Sequence, residues 1–248
     1  MSLQEKIDQL LQLTADFYGK TDRDVVTGPA SELGISMEDI DLAGSVLNGT
    51  GAKALMQIQD AYMDRHPHHI PLLFMMDVIH GYRTIFPAPI AQGASFDPEM
   101  SQKAASIAAR EASAAGIHVV FSPMVDLVRD PRWGRVMEST GEDPYLNSRF
   151  AAAQIHGFQG DDMKEDGKVC GCIKHFAGYG GAEAGREYNT VQVSEHTFRE
   201  YYLPSYEAGI KAGAGMVMTS FNTVNDIPAT INQKLMRQML REEMGFDG

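Results

Sequence analysis

Short apolar runs alternate with longer stretches of helical periodicity along most of this sequence, and this alternation constrains the fold more than any other feature. The run Ile70–Met76 is apolar at nearly every position, which is typical of a strand buried on both faces. Strands of this kind that alternate with helices form a parallel sheet. The predicted strands are Ala43–Leu47, Ile70–Met76, His118–Pro123, Val169–His175, Thr190–Val193 and Ala214–Phe221. The predicted helices cover residues 52–65, 97–115, 143–158, 195–212 and 232–244.

The series of strands and helices is continuous and contains no dinucleotide-binding fingerprint, which favours a (β/α) barrel over a doubly wound sheet. Six strands are predicted, whereas a closed TIM-type barrel has eight. We therefore expect an α/β fold in which residues 43–248 form an incomplete (β/α)8 barrel with about six of the eight units. Residues 1–42 are predicted to form a lead-in segment that begins with an amphipathic helix over residues 3–18. An open barrel has two exposed strand edges, through which the chain could self-associate.

Charge and hydropathy limit the classes of partner. The 248 residues include 21 Lys and Arg against 33 Asp and Glu, which gives a net charge of −12. An acidic chain repels phosphate backbones, so nucleic acid is not an expected partner, whereas a neutral sugar is unaffected by this charge. The apolar runs are all far shorter than the roughly 20 residues needed to cross a bilayer, so no interaction with a membrane is predicted.

The cysteines and histidines do not suggest a metal site. Cys170 and Cys172 are separated by one residue, which makes a disulfide between them strained, and the sequence has no second cysteine pair to complete a metal site. His66, His68 and His69 are predicted to lie on a surface loop at the beginning of a strand, away from the functional rim. We therefore expect no metal and no cofactor.

The cellular location is predicted from the thiols and from the N-terminus. Two thiols that do not pair fit a reducing compartment. The first residues, Met1–Lys6, are charged and lack the apolar segment of a signal peptide. We therefore predict a cytoplasmic protein.

Polar side chains follow four of the predicted strands where each strand ends. They are Asp77, Asp126, the pair Lys174-His175, and Asn222. The carboxyl ends of parallel strands meet at one rim of a barrel, where functional groups collect. Carboxylate, ammonium and imidazole groups on one rim suit a polyhydroxylated ligand, because each sugar hydroxyl both donates and accepts a hydrogen bond. The sequence therefore predicts a sugar-binding site at this rim.

Several motifs resemble those of glycoside hydrolase family 3, and they occur in the family's order from about Leu42 to the last residue. They are Asp77–Gly81, Asp126–Arg135 with its Arg-Trp-Gly-Arg ending, Glu138–Pro144, Lys174–Ala177, Glu187–Thr190 and Gly245–Gly248. The resemblance implies the N-terminal barrel domain of a β-glucosidase, which stops before the strand that carries the nucleophile.

The resemblance also implies which residues bind the sugar. They are Asp77, Arg135, Lys174, His175, Met218 and Phe221. Asp77 would accept hydrogen bonds from two hydroxyls, and the three basic side chains would donate to other hydroxyls of the same ring. The two apolar side chains would line the pocket. Family members tend to carry non-proline cis peptides around Lys-His-Phe, so we predict at least one near His175.

Structural roles are the alternatives for three of these residues. Arg135 could instead form an ion pair with Glu138 or Glu142. Met218 and Phe221 could instead pack in the core. The four polar residues are expected to lie close together if the resemblance reflects a common pocket.

The resemblance places both catalytic carboxylates outside this chain. Retaining glycosidases need a nucleophile and an acid/base about 5 Å apart. The family's nucleophile is an Asp on the strand after the turn that corresponds to Gly245–Gly248, and the acid/base of its β-glucosidase and β-xylosidase members is a Glu on a second domain. The loop Lys174–Tyr179 has Tyr179 where β-N-acetylglucosaminidase members have their catalytic His, which argues against that activity.

We therefore expect the parent protein to be a retaining glycoside hydrolase that releases β-D-glucose from the non-reducing ends of β-glucosides or oligosaccharides. This N-terminal fragment is expected to be inactive without the C-terminal part of the same protein. One alternative is a β-xylosidase or mixed-specificity glycosidase, because xylose lacks only the hydroxymethyl group of glucose. Another is a non-catalytic sugar-binding module.

Overall fold

The computed structural model of the chain describes residues 1–18 and 34–248 and divides into two compact units. The first unit contains residues 1–77 and 111–120, and the second contains residues 78–110 and 121–248. Both units contain parallel strands and helices, so the fold is α/β as the alternation predicts. Residues 19–33 of the predicted lead-in segment lie outside the described residues, and its boundary with the barrel after residue 42 stays a prediction.

The first unit is built on four parallel strands. They are β1 (Gln12–Thr14), β2 (Ser45–Leu47), β3 (Leu73–Met76) and β4 (Val119–Val120), which lie side by side in chain order. Gln12 lies opposite Ser45, and Met75 lies opposite Val119. Its helices are α1 (Leu3–Asp8), the 3-10 helix Ala15–Tyr18, α2 (Met37–Leu42) and α3 (Ala52–Arg65).

The second unit contains the parallel pair β5 (Cys170–Phe176) and β6 (Met216–Thr219), followed by the antiparallel hairpin β7 (Thr223–Val224) and β8 (Ile227–Pro228). Its helices are α4 (Pro89–Gly93), α5 (Pro98–Ala114, whose last turn belongs to the first unit), α6 (Pro144–Gln159), α7 (Glu195–Thr197), α8 (Pro204–Lys211) and the π-helical segments Phe198–Tyr202 and Lys234–Glu243. Short 3-10 helices cover Val136–Glu138, Tyr179–Gly181, Glu183–Gly185 and Ala229–Ile231. Ile155, Ile173 and Tyr206 lie in its buried core, where α6 and α8 pack against each other.

Six parallel strands are present among the described residues, β1–β4 in the first unit and β5 and β6 in the second. This number matches six of the eight units of a (β/α)8 barrel, and the predicted incomplete TIM-type barrel is confirmed. Local features also mark the ends of the helices. The Ser194 hydroxyl caps α7 by accepting from the Thr197 N–H at 3.1 Å, and Gly116 and Gly213 have φ angles of 93° and 92° where helices end.

The predicted helix over residues 3–18 is wrong beyond Asp8. Residues Gln12–Thr14 form β1, which pairs with β2. Leu13 is buried between an exposed Gln12 and a half-buried Thr14, which is the alternation of a strand. Pairing along the sheet outweighs the local helical spacing of the apolar residues, because propensity is a weak preference compared with tertiary contacts.

The predicted strand Thr190–Val193 is also wrong. Val191 forms only an isolated parallel bridge with Val224 of the hairpin. The flanking residues take part in other structure, because the Thr190 carbonyl accepts from the Glu183 N–H and Ser194 begins α7. The run is therefore too short to form a ladder. The number of predicted strands agrees with the observed number because β1 replaces this segment.

The cysteines and histidines differ in part from expectation. Cys170 and Cys172 are free thiols, as predicted. His66, which was predicted on a surface loop, is buried, and its Nδ1 accepts from the N–H groups of His68 and Ile70 at 3.2 and 3.3 Å. Buried imidazoles are stable when their nitrogens are paired in this way. The helices of residues 1–18 and 34–248 include none with the length and apolarity that a membrane crossing requires.

Candidate functional site

The end of β5 presents two of the predicted site residues. Lys174 and His175 are both buried, and the backbone of Lys174 lies opposite Met218 of β6. The register between β5 and β6 shifts after Lys174, so Phe176 lies opposite Thr219. The peptide bonds Lys174-His175 and Phe176-Ala177 are both cis, which confirms the predicted non-proline cis peptide near His175.

His175 is oriented by a buried carboxylate. Its Nδ1 lies 2.8 Å from Oδ2 of Asp126, and its backbone N–H donates to the same oxygen at 3.1 Å. The Tyr206 hydroxyl, 2.7 Å from both Asp126 Oδ1 and the His175 carbonyl oxygen, completes the network. Burial, reinforced by the negative charge of Asp126, raises the pKa of Tyr206 well above its usual value. A carboxylate on Nδ1 fixes the position of the ring and directs Nε2 away from Asp126.

Arg135 forms a two-pronged ion pair with Glu138. Its Nε and Nη2 lie 2.7 and 2.8 Å from the two carboxylate oxygens, so the ion pair considered as an alternative is present. Burial of the carboxyl raises the pKa of Glu138. The hydrogen bonds and charge of Arg135, together with the charges of Lys174 and His175, lower the pKa by more, so the net shift is downward. The Arg135 guanidinium and the His175 ring both lie against the Tyr179 ring, so the ion pair belongs to the same cluster as the end of β5. It does not exclude a role in binding, because a guanidinium has five N–H donors.

Tyr179 connects these groups to the loop that follows β5. Its hydroxyl donates a short hydrogen bond to Oε2 of Glu187. The Arg135 guanidinium lies 5.7 Å from the centre of the Tyr179 ring, within range of a cation–π interaction. Burial raises the pKa of the Tyr179 hydroxyl, and its hydrogen bond to Glu187 adds to the shift, so the hydroxyl stays protonated and acts as a donor.

Four rings form a continuous series that we call the aromatic ladder, made of His175, Tyr179, Phe221 and Tyr188. The Phe221 ring lies 5.3 Å from His175, 5.6 Å from Tyr179 and 5.3 Å from Tyr188. The ladder leads from buried rings to exposed ones, because His175 and Tyr179 are inaccessible whereas Phe221 is 51% exposed. It gives the basic cluster an apolar wall that reaches the surface.

Five of the six predicted site residues lie in the second unit, and the structure brings them together at the ends of β5 and β6. Lys174 and Met218 are paired in the sheet, His175 contacts Phe221, and Arg135 joins the cluster through the Tyr179 ring. Asp77 directly follows β3 in the first unit and is exposed, and its role in sugar binding stays a prediction.

Asp126 was predicted to lie at the functional rim but not among the residues that bind the sugar, and Tyr179, Tyr188 and Tyr206 were not predicted as part of the site. Asp126 was recognised as a carboxylate at a strand end, and that position was the signal for its importance. Tyr179 was considered only as the replacement of a histidine. Tyr206 lies within α8, where nothing in the local sequence indicates that its hydroxyl reaches Asp126.

The arrangement suits the binding of a neutral, hydroxyl-rich ring rather than a metal ion. Arg135, Lys174 and His175 supply donors, and the aromatic ladder supplies an apolar face. In the part of the chain that the structure describes, His, Cys, Asp and Glu form no group of three or more that could hold a metal ion. The carboxylates of the cluster are already hydrogen-bonded, Asp126 to His175 and Tyr206, Glu138 to Arg135, and Glu187 to Tyr179.

Two curated relatives resemble this chain. A periplasmic β-glucosidase from Salmonella typhimurium is 40% identical over 205 residues, which cover 83% of this chain and 27% of that protein. A β-xylosidase from Formosa agariphila is 41% identical over 173 residues, which cover 68% of this chain and 24% of that protein. The chain therefore spans about a quarter of the length of these relatives.

A solved structure and a sequence family complete the comparison. The structure of a mutant β-glucosidase from Listeria innocua in complex with laminaribiose matches with a TM-score of 0.96 and 52% identity, over 100% of this chain and 35% of that protein. The model of the glycosyl hydrolase family 3 N-terminal domain matches residues 2–248. Since the match covers nearly every residue, the chain belongs to glycosyl hydrolase family 3.

Proposed function

We propose that the protein is a retaining glycoside hydrolase that releases β-D-glucose from the non-reducing ends of β-glucosides, and that this chain supplies part of the pocket for that glucose. The observation that supports this proposal most is that Arg135 and His175 both lie against the Tyr179 ring, beside the half-exposed ring of Phe221, with Lys174 next to His175 in β5. Buried donors next to an aromatic face are complementary to a sugar ring, which has hydroxyls around its edge and C–H groups on its faces.

The catalytic carboxylates are expected to come from outside these 248 residues. A retaining mechanism needs two carboxyl groups about 5 Å apart, one of which attacks the sugar. Asp126 is buried and receives three hydrogen bonds, and Glu138 is held by the guanidinium of Arg135. Carboxylates with such partners are weak nucleophiles, because their charge is already stabilised. They are better suited to positioning the groups that bind the sugar.

Hydrolysis of nitrophenyl β-glucoside by the complete protein and by residues 1–248 alone tests this proposal. We expect turnover by the complete protein and none above background by the 248 residues. Enzyme-like turnover by the 248 residues would contradict the assignment of both catalytic carboxylates to other parts of the protein. Glucose binding by the complete protein without turnover of any glycoside would instead favour a non-catalytic sugar-binding module.

β-Xylosidase activity is the second candidate, because a relative named β-xylosidase is 41% identical to this chain over 173 residues. Xylose presents the same ring hydroxyls and lacks only the hydroxymethyl group, so the cluster around His175 would accept both sugars. The ratio of kcat/KM for nitrophenyl β-glucoside and nitrophenyl β-xyloside decides between them. A ratio above about 10, equivalent to 1.4 kcal/mol of discrimination, would identify glucose as the preferred sugar.

We further propose that the protein acts in the cytoplasm. The support is the pair of thiols of Cys170 and Cys172, which do not form a disulfide, as is usual for proteins of a reducing compartment. Burial raises the pKa of the Cys170 thiol, which keeps it protonated and slow to react. Fractionation of the native cells with an activity assay tests the location, and activity released with the periplasmic or secreted fraction would refute it.

A further inference from the structure

The outer end of the aromatic ladder carries a tyrosine that the binding of one glucose does not explain. The Tyr188 ring is 67% exposed, lies 5.3 Å from Phe221 and lies 6.2 Å from Tyr179. Phe221 is in turn 5.3 Å from the buried ring of His175. Tyr188 therefore lies on the far side of Phe221 from His175, beyond the residues proposed to contact the glucose. A large exposed ring beside a proposed sugar-binding cluster has unused surface for a ligand.

The loop holds Tyr188 in an unusual backbone conformation. Its φ angle is 55°, in the left-handed region that bulky residues seldom adopt. The residues on both sides are fixed, because Glu187 accepts the hydroxyl of Tyr179 and the Asn189 side chain accepts from the Thr190 N–H at 2.8 Å. A ring that is exposed although its backbone is anchored is presented to the solvent in a defined position. Backbone conformations of this kind are concentrated at functional sites.

We propose that Tyr188, together with the outer face of Phe221, binds the ring of the leaving group, either the second sugar of a β-linked disaccharide or an aryl group. This inference rests on the proposed glycosidase function and specifies which part of the substrate the ladder recognises beyond the glucose. Both leaving groups offer a flat ring with C–H groups, which an aromatic side chain binds by stacking. A small aliphatic leaving group has no ring to stack and gains nothing from Tyr188.

Three substrates and three variants of the complete protein test the proposal. Laminaribiose and nitrophenyl β-glucoside have a ring in the leaving group, whereas methyl β-glucoside does not. Tyr188→Asn removes the ring, and asparagine tolerates the left-handed backbone better than other non-glycine residues. Tyr188→Phe keeps the ring and removes the hydroxyl. The matched control is Tyr145→Asn at the start of α6, where the tyrosine is 73% exposed and has no ring contact with the ladder.

Relative to wild type, Tyr188→Asn is expected to lower kcat/KM about 3- to 10-fold for the two substrates with a ring, and less than about twofold for methyl β-glucoside. Tyr145→Asn should stay close to wild type on all three, and Tyr188→Phe, which keeps the ring, should keep the wild-type ratio of kcat/KM between the substrates with and without a ring. Equal losses on the three substrates, or no loss on any of them, would overturn the proposal.

Thermal unfolding of the same variants separates binding from stability. If the Tyr188 ring instead packs against another part of the protein, Tyr188→Asn will lower the melting temperature more than Tyr145→Asn does and will affect all substrates alike, which also overturns the proposal. A wild-type protein that hydrolyses none of the three substrates would refute the proposed glycosidase function. That result differs from a wild type that is active while Tyr188→Asn shows no selective loss, which refutes only the role of Tyr188.

Discussion

The Nδ1 atom of His175 lies 2.8 Å from Oδ2 of Asp126, and the backbone N–H of His175 donates to the same oxygen. Both side chains are almost completely buried, so water does not compete for the hydrogen bonds between them. The pair fixes the ring orientation and the position of the chain at the end of β5 at the same time. In the proposed glycosidase, Asp126 is thus a positioning residue, which would act on the sugar through the histidine.

Replacing Asp126 by Asn is expected to lower both stability and activity. An amide of the same shape cannot accept from both His175 donors and from the Tyr206 hydroxyl, because one of its two polar atoms is itself a donor. We expect a loss of about 1–3 kcal/mol in the free energy of unfolding, measured in urea, and at least a roughly 10-fold fall in kcat/KM on nitrophenyl β-glucoside.

The Tyr206→Phe variant is the control for this prediction. It removes the hydroxyl that lies 2.7 Å from Asp126 and from the His175 carbonyl oxygen, and it leaves the two hydrogen bonds between His175 and Asp126 in place. Its loss of kcat/KM should be clearly smaller than that of Asp126→Asn, although its stability should also fall because polar groups remain buried. Equal kinetic losses in the two variants would mean that the carboxylate does not act through the histidine.

The sequence predicts the fold well where the pattern is long and locally consistent. The helix expected over residues 52–65 is α3 (Ala52–Arg65), and Ala214–Phe221 contains β6. The prediction is wrong for Gln12–Thr14, a strand predicted as helix, and for Thr190–Val193, predicted as a strand that does not form. These segments are only three and four residues long. Segments of this length are determined by their neighbours in space, because a few residues carry too little periodicity to separate a strand from a helix or a loop.

The candidate site is predictable at the strand ends and much less so in the loops. Lys174 and His175 follow an apolar run, a position that indicates function in parallel barrels. By contrast, Tyr188 is placed by its own left-handed backbone and by hydrogen bonds of the adjacent residues. The ion pair of Arg135 with Glu138 could be named as an alternative, but its proximity to Lys174 and His175 depends on tertiary structure.

The Arg135–Glu138 ion pair is expected to make stability depend on pH. Burial raises the pKa of the Glu138 carboxyl, but hydrogen bonds from Arg135 and its charge lower it below 4.5 overall. The folded state therefore binds this proton less readily than the unfolded state. The resulting stabilisation is complete above pH 4.5 and is lost as the pH falls through the lowered pKa of the folded state.

Urea unfolding of wild type and Glu138→Gln at several pH values measures this effect. The difference in unfolding free energy between the two proteins should be about 1–3 kcal/mol near neutral pH and should shrink below pH 4.5. Glu142→Gln serves as the control, because Glu142 is exposed and was the other carboxylate considered as a partner for Arg135. A difference for Glu138→Gln that does not change with pH would argue against the ion pair in solution.

Phe221→Tyr is expected to improve activity at little cost in stability. Phe221 is half exposed, so water can reach an added hydroxyl, and the hydroxyl would add a hydrogen-bond donor beside the proposed sugar site. One new hydrogen bond to the sugar would raise kcat/KM about 2- to 10-fold on nitrophenyl β-glucoside. Phe96→Tyr, at another exposed phenylalanine, should change nothing. A fall in kcat/KM for Phe221→Tyr would show that the ring face alone contacts the substrate.

Gly180 is expected to be essential for the position of Tyr179, because Gly180 packs closely against the backbone of Leu127 and the ring of Trp133. A Cβ atom at Gly180 would overlap the carbonyl oxygen of Leu127 and would lie 3.3 Å from the Trp133 ring. Overlap with backbone cannot be relieved by a rotamer change, so Gly180→Ala should lower the free energy of unfolding by about 2 kcal/mol or more, measured in urea.

Gly134→Ala is the control for Gly180→Ala, because it makes the same substitution at a glycine that has room for a Cβ atom. Gly134 is exposed, and a Cβ atom there would meet its nearest neighbour, the Glu187 side chain, at an ordinary 3.5 Å. Its cost should stay below about 0.5 kcal/mol. Under conditions in which Gly180→Ala is still folded, it should also have lower activity than wild type. The displaced loop carries the Tyr179 ring, which packs on His175 and faces Arg135. If both variants unfold at the same urea concentration as wild type, the close packing of Gly180 against Leu127 does not exist in solution.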